Sequence, residues 1–237
     1  MAKGTAAAVV IKKKRWIAIH APKLFNEQII GESYVGEPQE LVGRHVSVSL
    51  MVLTGDPQKQ SVNVGFKITG AKDNAVTTEL IGYLVLPSAA KKLMRRARSK
   101  IDDSFIVETS DKKYVRVKPL IITRGRTSNS VLASMLKLER AFIAKTISKM
   151  DFESFVKEVI QKKLQHGLNQ LLRRLYPVGA CEIRQIEFIP AEKVKELGLK
   201  ITMPPEKMPE LPKKEEVKEV KEEETASEQP VEQPEAA

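Results

Sequence analysis

An α+β fold follows from three features of the 237-residue sequence. Its first half repeats short segments in which apolar and polar residues alternate with period two, the pattern of half-buried strands. Its second half places apolar residues at i, i+3 and i+4, the pattern of helices lying on a core. Tight-turn clusters separate the alternating segments. That predicts antiparallel neighbours, and so a curved antiparallel β-sheet or barrel-like body with a helical hairpin packed on it.

The strands are read in order at 16–19, 28–35, 44–53, 61–69, 77–86, 101–109 and 114–123. Segment 44–53, RHVSVSLMVL, sets Val46, Val48 and Leu50 on one face and Ser47 and Ser49 on the other, and stops at Thr54, Gly55, Asp56 and Pro57. Segments 101–109 and 114–123 form a hairpin turning at Ser110, Asp111 and Lys112. Pro87 and Ser88 open a helix over 88–100. Thr127, Ser128 and Asn129 open a second, whose stripe includes Leu132, Met135, Leu136, Phe142, Ile143 and Ile147. Asp151 caps a third, striped by Phe155, Val156, Val159, Leu164, Leu168 and Leu172. Tyr176, Pro177 and Gly179 end it, and Ile183 and Phe188 mark a last strand over 181–189. Three regions result: a flexible basic extension over 1–13, one α+β body over 14–200, and a disordered acidic Pro/Glu/Lys tail over 203–237. Within the body, 14–125 is strand-rich, 127–176 is helical, and 180–200 holds a strand and a short helix.

Charge narrows the function. The chain carries a formal +10, but the tail from Pro205 holds 11 acidic against 5 basic residues. The remainder therefore carries +16, which repels itself until an anionic partner neutralises it. Nucleic acid is the commonest such partner. Other classes find little support. Cys181 is alone, so no intrachain disulfide and no cysteine-based zinc site is expected, and the thiol reads as a small core hydrophobe. His20, His45 and His166 fall in separate segments without metal-ligand spacing. Gly31–Gly36 and Gly65–Gly70 have phosphate-loop spacing, but Glu37-Pro38 and Ala71-Lys72 stand where Lys-Ser/Thr is required. No two glycines are three apart, which excludes GxxG and GxGxxG. Asp102 and Asp103, being adjacent, point to opposite faces and make no catalytic pair. No apolar run approaches the ~20 residues of a spanning helix. Neither a catalytic residue, a cofactor nor a metal is expected.

Four basic clusters remain as candidate RNA contacts. They are Lys12, Lys13, Lys14 and Arg15; Lys91, Lys92, Arg95, Arg96, Arg98 and Lys100; Arg124 and Arg126; and Arg173 and Arg174. Ammonium and guanidinium groups bind phosphate oxygens without reading bases. Trp16 joins the first cluster as a ring able to stack on a base or ribose, although its place at the head of an apolar strand favours the core. Gly125, between two arginines, lets backbone approach a phosphate. Arg173 and Arg174 also complement a helix dipole.

These residues lie within a longer likeness. From Lys13 to about Leu199 the chain resembles the archaeal and eukaryotic small-subunit ribosomal protein family called S-one-e or S-three-A-e. The opening KKKRWIAIHAPKLFNEQIIGES has the family's Trp16, Ala21-Pro22, Phe25-Asn26 and Ile30-Gly31. LVGRHVSVSLMVL is similar to the signature L-x-G-R, branched residue, x-E-x-S-L-x-D-L. It agrees at Leu41, Gly43, Arg44, Ser49, Leu50 and Leu53, and departs at His45, Ser47 and Val52. Leu175-Tyr176-Pro177 before an alternating strand matches as well. The resemblance implies a structural, non-enzymatic protein of the cytoplasmic ribosome, on the small-subunit platform near the messenger exit. Its partners would be ribosomal RNA and neighbouring platform proteins, with messenger RNA near the exit channel as a further candidate. The rival classes are a free RNA chaperone, an RNA-modifying enzyme, and a protein adaptor built on the helical hairpin.

Overall fold

Alternation does produce the strands. A computed structural model describes residues 13–72, 75–196, 198 and 200–203. Among them are nine strands and six helices. The strands are β1 (Arg15–His20), β2 (Ile29–Val35), β3 (His45–Ser49), β4 (Val62–Lys72), β5 (Ala75–Val85), β6 (Lys100–Asp102), β7 (Phe105–Glu108), β8 (Tyr114–Thr123) and β9 (Val178–Ile189). They join in one sheet of order β2-β1-β5-β9-β8-β6, with β3 extending through β4 to β5, and β7 beside β8. The sheet is mixed rather than purely antiparallel, because β1 runs parallel to β5 with Ala18 opposite Ala75. Bulges at Ile19/His20, Gly65/Phe66, Ile68/Gly70, Lys118/Pro119 and Ile122/Thr123 bend it.

Helices α3 (Asn129–Ile147), α4 (Phe152–Ile160) and α5 (Lys163–Leu172) follow β8 and bury one face of the sheet. Phe66, Tyr83, Val107, Val117, Ile183 and Ile186 from the strands share a core with Met135, Ile143, Phe155 and Leu168 from these helices. On the other face, α2 (Pro87–Leu93) sets Ala90 and Leu93 against Leu120, Ile122 and Ala180. The last residues of β8 are therefore buried on both faces. A smaller cluster of Ile17, Ile19, Val35, Leu41, Ile68 and Val76 holds β1 and β2 to the far ends of β4 and β5. Cys181 lies in the main core, and burial pushes its thiol pKa up. After α6 (Ala191–Glu196), Ile201 bridges Ile106 of β7.

Four elements depart from the sequence expectation, each for a local reason. The strand 44–53 ends at Ser49, and α1 (Leu50–Thr54) follows. Leu50 and Leu53, both buried, have helical rather than strand spacing, and Gly55 at φ 74° closes the turn by donating its N–H to Met51 O at 2.8 Å. The helix 88–100 stops at Leu93, where Met94 turns extended. Like charges at i, i+4 (Lys91/Arg95 and Lys92/Arg96) disfavour its continuation, and Lys100 is taken into β6 opposite Ile122. The strand 101–109 is cut at Asp103 and Ser104. Pro119 opposite has no N–H to offer the ladder, and Asp103 turns to accept two hydrogen bonds from the Arg140 guanidinium, at 2.5 and 2.7 Å. Finally, the helix after Asp151 is two helices, broken at Lys162 with φ 59°. The Gln165 side-chain amide donates to Val159 O at 3.0 Å across the break, and Lys162 Nζ reaches Glu182 on β9 at 3.1 Å. Asp102 and Asp103 do point to opposite faces: Asp102 accepts from Arg184 at 3.0 Å.

Glu139 of α3 is fully buried, and neither carboxylate oxygen has a hydrogen-bond partner. Burial, with the charges of Asp103 and Asp102 adding and Arg140 opposing, pushes its pKa from 4.5 up to about 8. The folded chain therefore holds a proton that the unfolded chain releases above pH 4.5. Stability from this group is full at low pH and falls as pH rises toward 8. Glu139→Gln is expected to be more stable than the natural protein at pH 8 and nearly equal at pH 4, read from urea unfolding at both pH values. Asp103, only 8% exposed, is held below the usual carboxylate range by its Arg140 hydrogen bonds. Arg140→Ala is expected to cost about 1–3 kcal/mol at pH 7. That cost should shrink as pH falls through the Asp103 pKa, in the same unfolding assay.

Candidate nucleic-acid interface

Three of the four basic clusters meet at one end of the sheet, and hydrogen bonds around Thr123 bring them together. Thr123, the last residue of β8, is fully buried. Its N–H donates to Ser99 O at 3.0 Å, and its hydroxyl accepts from the Ser99 N–H at 3.0 Å and lies 2.6 Å from Gly125 O. The Ser99 hydroxyl accepts from the Thr127 N–H at 3.2 Å. These bonds set the 94–99 segment, carrying Arg95, Arg96 and Arg98, against the loop that carries Arg124 and Arg126. The same loop meets the end of the helical region. Arg124 N–H donates to Pro177 O at 3.0 Å, and the Tyr176 hydroxyl donates to Arg126 O at 3.0 Å. Arg173 and Arg174 stand just ahead of these, at the exposed end of α5, where they face the negative pole of the helix dipole.

Two glycines make the approach possible. A Cβ on Gly125 would come within 3.2 Å of the Tyr176 hydroxyl. A Cβ on Gly179 would sit 3.3 Å from the carbonyls of Ile122 and Thr123 and 3.4 Å from the Arg98 guanidinium. Arg98 thus runs over the first turn of β9. Lys91 and Lys92 project from α2, which is seated on the same strands. All the cations of this end except Arg98 are exposed. Among the described residues, carboxylates pair with Lys59, Arg116, Arg140, Lys162 and Arg184. None of the described carboxylates pairs with Lys91, Lys92, Arg95, Arg96, Arg98, Lys100, Arg124, Arg126, Arg173 or Arg174.

Beside this end lies a groove of about 480 Å³ whose lining includes Lys59, Lys92, Arg95 and Lys162 together with Glu182, Val62 and Val85. Lys59 and Lys162 escape sequence reasoning because the first is a lone cation at a turn and the second one of a Lys162-Lys163 pair inside an expected helix. Both are also partly neutralised, by Asp56 at 2.7 Å and Glu182 at 3.1 Å.

The first cluster stands apart. Lys12 lies outside the described residues. Lys13, Lys14 and Arg15 are exposed at the start of β1. Because β1 runs parallel to β5 with Ala18 opposite Ala75, Arg15 lies off the start of β5, whereas α2 leaves its far end at Val85. Ten residues of strand, roughly 33 Å, separate the two. Trp16 is not in the core: it is 66% exposed and packs its ring on Tyr34, centroids 5.2 Å apart. Period-two parity gives the reason, since Ile17 and Ile19 take the core face and leave Trp16 and Ala18 on the other.

A mixed sheet backed by helices carries, among the described residues, a basic end without carboxylate partners, a surface whose charge suits polyanions. Comparison with known proteins identifies the kind of protein. The model of the Ribosomal S3Ae family matches residues 5–191, close to the span marked out by sequence likeness. The chain is 32% identical over 182 residues to small ribosomal subunit protein eS1 of Nanoarchaeum equitans, covering 77% of this chain and 92% of that protein. It is 30% identical over 188 residues to small ribosomal subunit protein eS1 of Saccharolobus solfataricus, covering 79% and 90%. The chain belongs to the Ribosomal S3Ae family, a family of structural ribosomal proteins and not of enzymes.

The Thr123 node makes the geometry testable. Thr123→Val keeps the shape but removes the hydroxyl bonds to Ser99 and Gly125 O and leaves the Ser99 N–H only a 3.5 Å contact with Gly125 O, an expected loss of about 1–3 kcal/mol. Amide exchange over 95–99 should quicken at the same time, read by hydrogen–deuterium exchange alongside thermal unfolding.

Proposed function

We propose that this chain is a structural constituent of the small ribosomal subunit in the cytoplasm, holding ribosomal RNA against its basic end. The observation that carries the reading is the set of uncompensated cations around Thr123, drawn from three separate stretches of sequence onto one surface. A rigid array of this kind neutralises phosphates of one local RNA fold and releases their counterions. Lys91, Lys92, Arg95, Arg96, Arg98, Lys100, Arg124, Arg126, Arg173 and Arg174 are its contacts. Lys12, Lys13, Lys14, Arg15 and Trp16 form a second contact away from it. Family membership supports a seat on the platform near the messenger exit, beside other platform proteins and close to messenger RNA. The contacts are distributed, so no single residue is decisive.

Sedimentation tests this. In a sucrose gradient at low and moderate salt, the natural protein is expected to travel with small subunits and whole ribosomes. Joint charge reversal of Lys91, Lys92, Arg95 and Arg96 is expected to move it to the top of the gradient. For purified protein with its RNA, the reversal should cut the slope of log K against log salt by about 3–4, at about 0.9 per lost phosphate. Incorporation of the reversed protein would remove the surface from the reading. A natural protein found only at the top would show a free RNA-binding factor instead.

A further inference from the structure

Trp16 and Tyr34 are the two most exposed large aromatic residues among those described, 66% and 53% exposed, and they are partners across the β1–β2 hairpin. Their rings touch at 5.2 Å with a tilt of 44°, so each covers one side of the other and leaves an outer face to solvent. The hairpin does not need them for its own core, because Ile17, Ile19 and Val35 on the opposite face fill that role. Two exposed cations, Lys13 and Lys14, precede Trp16 by two and three residues, a reach of roughly 7–10 Å. An aromatic face with ammonium groups within one nucleotide's length is the arrangement that holds unpaired nucleic acid: the ring takes the base and the cations take the flanking phosphates. A duplex cannot use it, since its bases already stack on one another. Glu32, exposed on the same face two residues from Tyr34, bars phosphates from running along the hairpin. The strand must therefore leave toward Lys13.

We propose that the Trp16–Tyr34 ring pair, with Lys13 and Lys14, is a separate site that stacks an unpaired base of single-stranded RNA, at the end of the sheet opposite the phosphate-binding surface. This rests on the RNA-binding reading and adds to it a second RNA class. One end grips backbone, the other takes an extruded base, and the body ties two RNA segments together across the sheet.

Trp16 is the only tryptophan of the chain, so its emission reports on this site without background. Full-length protein is titrated with a 12-nucleotide mixed-sequence RNA strand and, separately, with the 12-base-pair duplex of the same sequence. Binding is followed by anisotropy of labelled RNA and stacking by Trp16 emission. The single strand is expected to quench the emission at saturation, and the duplex to bind without quenching. Tyr34→Leu, at an exposed position, is expected to keep its circular dichroism, weaken single-strand binding by about 5- to 150-fold, and leave duplex affinity unchanged. Saturation by single strand with unchanged emission, equal quenching by duplex, or unaltered single-strand affinity in Tyr34→Leu would overturn the stacking site while the RNA reading stands. Failure of both RNAs to bind would remove that reading as well. A change of emission with RNA-free small-subunit proteins, and none with single-stranded RNA, would assign the rings to a protein neighbour and overturn the proposal.

Discussion

The antiparallel pairing of β8 with β9 is the constraint on which both the core and the basic surface depend. It runs from Tyr114 opposite Ile189 to Thr123 opposite Val178. Its sides are covered by α2 on one face and by the three long-chain helices on the other. Because β8 and β9 are consecutive strands of the chain and pair antiparallel, the helical region between them must leave and return at the same end of the ladder. That closure sets Arg173 and Arg174 beside Arg124 and Arg126. The short β6, paired to the same end of β8, adds Arg98 and Lys100. A slip of one residue in this ladder would reverse every side chain of β9 and break the core.

Packing therefore sets the positions of charges that packing itself does not favour. Cations held on one rigid end without carboxylates repel one another, and the repulsion is least screened at low salt. Elsewhere on the body some cations of the same types are paired: Arg116 with Glu187, Arg184 with Asp102, Arg140 with Asp103. Among the described residues, the basic end differs in gathering its cations from three separate stretches of sequence onto one surface. The 94–99 segment shows the exchange at close range. Lys and Arg at i, i+4 disfavour continuation of α2 past Leu93, and the backbone beyond it is engaged by Ser99 and Thr123.

What could be read in advance follows from the range of each interaction. Period-two alternation gave β2 and β8 nearly to the residue, and β4 and β9 to within three residues at one end, since a strand with one buried face writes its pattern in the chain. Segment 50–53 reads equally as strand or helix, and only Gly55 in a left-handed conformation decides it. The break at Lys162 leaves no sign, because a lysine occupies a left-handed position usually given to glycine. The parallel partnership of β1 and β5 is non-local and invisible to periodicity. The basic residues were legible one by one, but their convergence was not: it depends on strand order, which places the arm of β1 at one end and the remaining clusters at the other. Trp16 was legible after all, since the parity that buries Ile17 and Ile19 expels it.

Stability and binding are coupled by this arrangement. Any ligand that binds the folded chain and not the unfolded one stabilises it by mass action. For a polyanion on the basic end the gain includes relief of the repulsion among cations that the fold holds close. The buried carboxylate of Glu139 acts in the opposite sense, since it is costly in every state of assembly and responds to pH rather than to RNA. The free protein thus carries two separable penalties, one inside α3 and one on the surface around Thr123. Salt screens only the surface penalty and protonation relieves only the buried one. Stability measured across salt at fixed pH therefore reads the surface that RNA would occupy, whereas stability across pH at high salt reads the core.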